Sequence, residues 1–237
     1  MARSRVYLLS PARTDGRRAA MLFNPRSDFP MGVRLRAPGG AELGDVFSFL
    51  SKLYFRGKLT YARAFAVPNG TAPSILVITA DRGLVPPETR VTLDDLRQFG
   101  HVDIAASDDR YLAPLTRDVA ALASAIPPDA QVVLLGSIAT GKYVDVLLAT
   151  FGPRLVFPAD FVGRGDMSRG GLLLRSAREG RELDYIPVEG AIRRGKRPPR
   201  LGPARHTTER EPPSAKRPRK EPRGTEKNAR PGRHARQ

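Results

Sequence analysis

Two aspartates in a glycine-rich stretch, Asp160 and Asp166, are the first candidates for chemistry in this sequence. Two arginines, Arg164 and Arg169, and four glycines accompany them. Because glycine lets a backbone approach a ligand closely, we predict a loop over 160–171 that suits a charged ligand carrying a sugar or a phosphate. A surface turn closed by local Arg–Asp pairs is the alternative interpretation.

Carboxylates of this kind could act on a glycosidic bond. A carboxylate next to a developing sugar cation stabilises that cation or orients a water molecule as a base. Asp166, and after it Asp160, is therefore a candidate catalytic residue, although either could instead cap a helix or form an ion pair. Asp15 and Asp81 are similar but less isolated candidates. We expect no Ser–His–Asp set, because His101 begins a predicted strand and does not stand on a loop that leaves one.

A second motif runs from Gly136 to Lys142, between a predicted strand and a predicted helix. Its spacing, Gly-x4-Gly-Lys, matches that of a phosphate-binding P-loop. Tyr143 stands where that motif needs Ser or Thr to bind magnesium, which argues against triphosphate chemistry. A phosphate or ribose contact at the helix N-terminus and a plain strand-to-helix turn both stay open.

The elements that must position these residues alternate between strand and helix. This alternation predicts an α/β fold of three layers, with a short, mainly parallel sheet covered by helices on both faces. Residues 24–44 are predicted to be irregular, and 183–188 to form an edge strand or a final turn. The predicted strands are 6–9, 74–79, 102–105, 131–135 and 155–157, and the predicted helices are 17–23, 45–66, 92–99, 112–126 and 140–151.

In folds of this class the ligand sits outside the carboxyl ends of the strands. Each of the predicted exit loops is polar and carries Asp, Arg, Ser or Lys, so we expect them to converge on one cleft. These loops are 10–15, 81–83, 107–110, 136–143 and 160–169.

The predicted helix 45–66 has aromatic and apolar residues at helical spacing, interleaved with basic residues that include Lys58. We interpret it as an amphipathic core helix with a solvated basic face, weakened in the middle by Gly57. A helix that touches a nucleic-acid backbone is the alternative.

The charge of the chain is uneven. The whole sequence has 40 Lys and Arg against 24 Asp and Glu, a net charge of +16; residues 191–237 carry +12 of it and 1–190 carry +4. We predict a single domain over 1–190 and a disordered polybasic tail over 191–237, which lacks the apolar residues needed to offset ordering entropy.

Such a tail suits phosphate backbones. An anionic membrane surface is the competing partner, but the tail has no apolar face, so we favour nucleic acid, and DNA over RNA.

Composition excludes several classes of site. Without cysteine the chain has no disulfide, thiolate catalyst or cysteine-bound zinc or iron–sulfur centre. Its three histidines are far apart in sequence, so we expect no metal site and no cofactor.

No window approaches the ~20 apolar residues of a membrane span, and the first apolar run is too short for a secretory signal. We expect a cytoplasmic, nucleoid-associated protein and leave its oligomeric state open.

Two segments resemble the YaaA peroxide-stress family of bacterial proteins. Residues 8–12, Leu-Leu-Ser-Pro-Ala, are similar to the Ser-Pro-Ala start of that family, and Arg13 stands where the family has a lysine. The remaining similarity lies in 53–54, 62–64, 75–80, 83–84 and 86, and in Gly163, Arg164 and Gly165, which lie where that family has its last basic, glycine-containing element. The resemblance implies an α/β domain that associates with DNA.

The layout also resembles the uracil-DNA-glycosylase superfamily, which has a short parallel sheet with its site at the carboxyl edge. The Gly-x-Asp-Pro-Tyr and His-Pro-Ser-Pro motifs of the uracil enzymes are absent. The resemblance therefore implies a divergent glycosylase with other catalytic residues and another base.

Together these features predict a DNA glycosylase that flips a modified or damaged base into the cleft and hydrolyses its N-glycosidic bond, with modified phage DNA as a target in defence. The alternatives are a non-enzymatic DNA-binding stress-response protein of YaaA type and a nucleotide-dependent transferase that uses the 136–142 loop. The predicted site residues are Asp166 and Asp160 for catalysis, Ser10, Ser137, Tyr143 and Phe161 for the base, and Arg13, Lys142, Arg164 and Arg169 for phosphates.

Overall fold

The computed structural model describes residues 4–67, 72–105, 107–139, 141–192, 195 and 198–199. The predicted tail, 191–237, lies outside the described residues except for Ala191, Ile192, Gly195, Pro198 and Pro199. Within these limits the chain is an α/β domain, as predicted.

The strands are short. They are β1 (Arg5–Leu9), β2 (Ala41–Glu42), β3 (Ile75–Ile78), β4 (Leu84–Val85), β5 (Arg90–Val91), β6 (Gln131–Leu135), β7 (Leu155–Pro158) and β8 (Tyr185–Pro187). The helices between them are α1 (Arg17–Phe23), α2 (Pro30–Arg36), α3 (Leu43–Ser51), α4 (Leu53–Phe65), α5 (Leu93–His101), α6 (Asp109–Ala125), α7 (Gly141–Phe151) and α8 (Asp166–Glu179).

The main sheet has the strand order β4-β3-β1-β6-β7-β8. Its four inner strands are parallel, and β4 and β8 close the two edges as antiparallel strands. The inner strands are almost wholly apolar and buried, as expected for a sheet covered on both faces by helices. Strands β2 and β5 form a separate antiparallel pair.

The register of β1 and β6 decides what lies at the carboxyl edge. Leu9 pairs with Leu135, so Ser10 and Gly136 leave neighbouring strands at the same level. The Ser10 amide donates to the Leu135 carbonyl at 3.2 Å, which extends the ladder to that edge. The two exit loops therefore begin side by side.

Most of the predicted elements are confirmed. The apolar runs at 6–9, 74–79, 131–135 and 155–157 are strands, and the edge strand at 183–188 is β8. The predicted helix 92–99 is α5, which begins after a capping box formed by Thr92 and Asp95.

The prediction of a strand at 102–105 is wrong. The position beside β3 is taken by the antiparallel strand β4, so the sheet has no place for 102–105 at that edge. Residues 107–110 are consequently not an exit loop. They lead into α6, where the Asp108 carboxylate accepts from the Arg110 amide and caps the helix.

The predicted helix 45–66 is two helices, α3 and α4, and the break between them does not fall at Gly57, which lies within α4. The chain breaks at Lys52, which has a φ of 52°. The predicted irregular region 24–44 contains α2 and β2, so that prediction was also incomplete.

The predicted loop 160–171 is largely helical, because α8 begins at Asp166. One of its glycines, Gly170, allows close packing of α8 on α4. A β-carbon placed on Gly170 would lie 2.7 Å from the Leu53 carbonyl oxygen, and one on Gly57 would lie 2.7 Å from the Gly170 carbonyl oxygen. Gly170, one of the glycines that indicated a ligand-binding loop, is thus part of the contact between two helices.

Candidate functional site

A cleft of about 740 Å³ opens at the carboxyl ends of β1, β3 and β6. Its walls come from the loop after β1, from the end of α5 with residues 102–104, and from the loop that joins β6 to α7. Phe47 of α3 and Phe99 of α5 supply an apolar surface, with their ring centroids 6.2 Å apart. A cleft therefore exists at the predicted edge, although residues 81–83, 107–110 and 160–169 are not among those that line it.

The structure brings one half of the predicted site residues together. Ser10, Arg13, Ser137, Lys142 and Tyr143 all line the cleft. They come from the two loops that the register of β1 and β6 places side by side.

The other half lies around the start of α8 and does not line the cleft. Arg164 and Arg169 are only 10% and 12% exposed, and each donates to a backbone carbonyl, Arg164 to Asp160 at 2.9 Å and Arg169 to Phe161 at 3.0 Å. Their side chains bind the turn that precedes α8, which leaves little of either guanidinium for a phosphate. Asp166 is 70% exposed, and its Oδ1 lies 3.9 Å from Nη1 of Arg169.

Phe161, the predicted base-stacking residue of this group, is 1% exposed. Its ring packs edge-on against Tyr54 at 6.4 Å, and the Arg169 guanidinium lies over it at 5.2 Å. In this arrangement the ring is part of the core and has no open face for a base.

Ser10 has a partner that the sequence analysis missed. Lys58 of α4 is 1% exposed, and its Nζ donates to the Ser10 carbonyl at 2.5 Å and to Ser10 Oγ at 2.9 Å. The rings of Tyr54 and Phe55 lie 4.6 and 4.8 Å from Nζ. The prediction that Lys58 belongs to a solvated basic face is therefore wrong. One signal was present: Lys58 lies four residues after Tyr54 and three before Tyr61, so it shares their apolar face.

Burial changes the acidity of Lys58. Loss of hydration lowers its pKa to about 7, the Asp166 carboxylate opposes the change, and the Arg169 guanidinium adds to it. At neutral pH the side chain therefore populates both its ammonium and its amine form, as a group that exchanges protons must.

Tyr143 fixes the turn after β6. Its hydroxyl donates to the Ser137 carbonyl and accepts from the Ser137 amide, both at 3.0 Å. Burial raises the pKa of Tyr143, while a hydrogen bond with Ser10 opposes that rise, so the phenol stays neutral. The Ala139 amide donates to Ser137 Oγ at 3.3 Å. Two amides that a P-loop would offer to a phosphate are thus bonded within the turn.

Gly136 allows Ser10 and Tyr143 to meet. A β-carbon placed on it would lie 2.9 Å from the Ser10 β-carbon and 2.8 Å from the Tyr143 hydroxyl oxygen. Such contacts are too short for any residue but glycine at this position. The first glycine of the P-loop-like spacing is therefore required by packing.

The cleft also carries charge at its rim. Arg13 holds Asp15 with two hydrogen bonds, of 3.0 and 2.7 Å, and both side chains are well exposed. The Arg13 guanidinium holds the pKa of Asp15 below its usual range, so this carboxylate is ionised at neutral pH. Asp103, Lys142 and His101 line the same cleft.

Among the described residues, no group of three or more His, Asp or Glu side chains could hold a metal ion. None of the described helices has the length and apolar character to cross a membrane. Comparison of the chain with protein-family models, with curated proteins and with solved structures found no match.

Proposed function

We propose that this chain is a DNA glycosylase that hydrolyses the N-glycosidic bond of a modified or damaged base. One observation carries the proposal: a single cleft at the carboxyl edge of the sheet combines an apolar surface, hydroxyl groups, cations and an ionised carboxylate. Its volume, about 740 Å³, lies in the range of small-molecule sites and can hold a flipped nucleotide.

Each part of the cleft has a role in this proposal. The base packs against the side with Phe47 and Phe99, and the hydroxyls of Ser10 and Ser137 bond to its edge. Arg13 and Lys142 at the rim contact the phosphates, and the polybasic tail adds attraction to the DNA backbone that does not depend on sequence.

The carboxylate in this proposal is Asp15. Asp166 and Asp160 do not line the cleft, whereas Asp15 and Asp103 do. Asp15 stands on the loop that leaves the central strand β1, and its ion pair with Arg13 keeps it charged, as stabilisation of a sugar cation requires. Asp103 is the second candidate.

The absence of the uracil-enzyme motifs favours a base other than uracil. A modified base of phage DNA, met at the nucleoid in the cytoplasm, fits a defence role. Whatever the modified base is, the proposed reaction releases it as a free base and leaves an abasic site in the DNA.

The test is base release from DNA. Oligonucleotides that each contain one modified base, both single-stranded and as duplexes, are incubated with the full chain and treated with alkali, and the freed base is identified by mass spectrometry. We expect strand breaks at one base, and a fall of about 100-fold or more for Asp15→Asn. Asp129→Asn is the matched control, because this exposed aspartate precedes β6 and so lies at the opposite edge of the sheet.

Three outcomes contradict the proposal. DNA binding without abasic sites on every substrate supports the non-enzymatic stress-response alternative. A product that depends on ATP supports the transferase alternative. Equal rates of base release for Asp15→Asn and the wild type, together with an inactive Asp166→Asn, contradict the assignment of Asp15 and assign catalysis to Asp166 at the start of α8.

A further inference from the structure

The amine of Lys58 is buried at the end of β1. Removing a lysine side chain from water is costly unless the charge is paired, and the nearest acidic influence on Lys58, that of Asp166, acts through space without a hydrogen bond. Its hydrogen-bond partners in the described part of the chain both belong to Ser10, the first residue of the cleft after β1.

We propose that Lys58 and Ser10 form a proton relay that delivers a proton to the base as it leaves the sugar. This inference rests on the proposed glycosylase activity and assigns the acid of that reaction. Ser10 touches the base, whereas Lys58 acts through Ser10 and never meets the substrate.

The geometry gives the relay a direction. Ser10 Oγ accepts from Lys58 Nζ at 2.9 Å, which leaves the serine proton to be donated elsewhere. Within the protein it can be donated to the Leu135 carbonyl, 3.4 Å away, which is long for a hydroxyl hydrogen bond, or to the Tyr143 hydroxyl oxygen. Because Ser10 lines the cleft, a base nitrogen or carbonyl oxygen there can take the place of these acceptors.

The proton balance of the reaction closes. The bond between the sugar C1′ and the base nitrogen breaks, and its electron pair stays on the base. Ser10 gives its hydroxyl proton to the base, and the Lys58 ammonium restores that proton to Ser10 and becomes a neutral amine. Water adds to C1′ and gives up one proton to solvent, and Lys58 recovers a proton through Ser10 once the base has left.

Among the described groups packed around Lys58, Lys58 itself is the one that we expect to change charge near neutral pH. Tyr54 on α4 and Tyr143 on α7 stay neutral, because burial raises the pKa of both phenols. Asp166 and Arg169 on α8 carry opposite charges that offset each other near Lys58. The pKa of Lys58, about 7, suits an acid that works near neutral pH. His101 also lines the cleft and needs its own control.

The test compares leaving groups that differ in their need for a proton. Matched DNA probes carry uracil or 5-fluorouracil, and guanine or 7-methylguanine; the second base of each pair departs readily without protonation. We expect Ser10→Ala and Lys58→Met to lower the single-turnover release of the less reactive base of a pair by about 100-fold or more. The same variants should lower the release of its activated partner by less than about 10-fold. Wild-type release of the less reactive base should fall above about pH 7, and His101→Gln should keep that profile.

Every other result overturns the relay. Equal losses on both members of a pair assign Ser10 and Lys58 a structural role only, and wild-type release confined to activated bases means that no acid acts. If the wild type releases no base from these probes or from the oligonucleotides with modified bases, the proposed glycosylase activity itself fails. Circular dichroism checks that each variant folds, and Ser10→Ala carries the test alone if Lys58→Met does not fold.

Discussion

The Nζ atom of Lys58 lies 2.9 Å from the Oγ atom of Ser10, although 48 positions separate the two residues in the chain. The contact joins the buried face of α4 to the point where the central strand β1 ends. It places a buried titratable amine in direct contact with a residue that lines the cleft. The stability of the fold and the proposed chemistry therefore both depend on this pair.

The first prediction concerns pH. In the unfolded chain a lysine keeps its proton up to a pKa near 10.5, whereas Lys58 in the folded protein loses it above about pH 7. Between these values the unfolded state binds more protons, so the free energy of unfolding should rise with pH by up to about 1.4 kcal/mol per unit. Urea denaturation from about pH 6 to pH 9.5 measures this, below the range where the tyrosines of the unfolded chain ionise.

Two variants make that measurement specific. Lys58→Met should abolish the rise, because it removes the group that titrates differently in the two states. Lys142→Met is the matched control, since Lys142 is exposed, and it should keep the wild-type slope. An unchanged slope in Lys58→Met would show that another group is responsible.

A second prediction concerns Gly136. Gly136→Ala places a methyl group 2.9 Å from the Ser10 β-carbon and 2.8 Å from the Tyr143 hydroxyl oxygen, so one of them must move. We expect a loss of about 1–3 kcal/mol in unfolding free energy, together with slower base release. Gly16→Ala is the control, because a β-carbon there meets nothing within 4 Å. Similar stability in the two variants would refute the packing requirement.

A third prediction separates helix propensity from helix packing. Alanine is better than glycine within a helix by about 1 kcal/mol, yet Gly57→Ala and Gly170→Ala should each destabilise the protein by about 1–3 kcal/mol. The reason is that each β-carbon would lie 2.7 Å from a backbone oxygen of the opposing helix. Gly100→Ala in α5, with its nearest contact at 3.6 Å, should be neutral or stabilising. Thermal denaturation of the three variants decides the matter.

A fourth prediction concerns the basic C-terminal segment. The compact unit that contains the cleft is Met1–Gly202, and removal of Pro203–Gln237 takes away 11 Lys and Arg against 4 Asp and Glu. We expect weaker binding to a short fluorescent DNA duplex and a shallower dependence of affinity on salt, since fewer counterions are released. Base release from saturating short substrates should persist. An unchanged salt dependence would mean that the segment does not contact DNA.

The sequence alone determined the strands and much of the helical layer. The runs at 75–78 and 131–135 are apolar and flanked by turn-forming residues, and such runs favour buried strands whatever surrounds them. The N-cap at Thr92 also depends on local sequence, because its capping box needs only the Asp95 carboxylate three residues later. The polar loops after β1 and β6 were likewise predictable as parts of one cleft, since parallel strands end at a common edge.

Tertiary structure alone decided the roles of the glycines and of Lys58. Glycine permits both an open loop and a close helix contact, and only the approach of α4 to α8 selects the second at Gly170. A lysine among aromatic residues favours a solvated position by its charge, and only the end of β1, with two oxygens of Ser10 in reach, makes burial of Lys58 tolerable. Such outcomes depend on groups far away in sequence, whose positions follow from the register of the sheet and the packing of the helices and not from local preference.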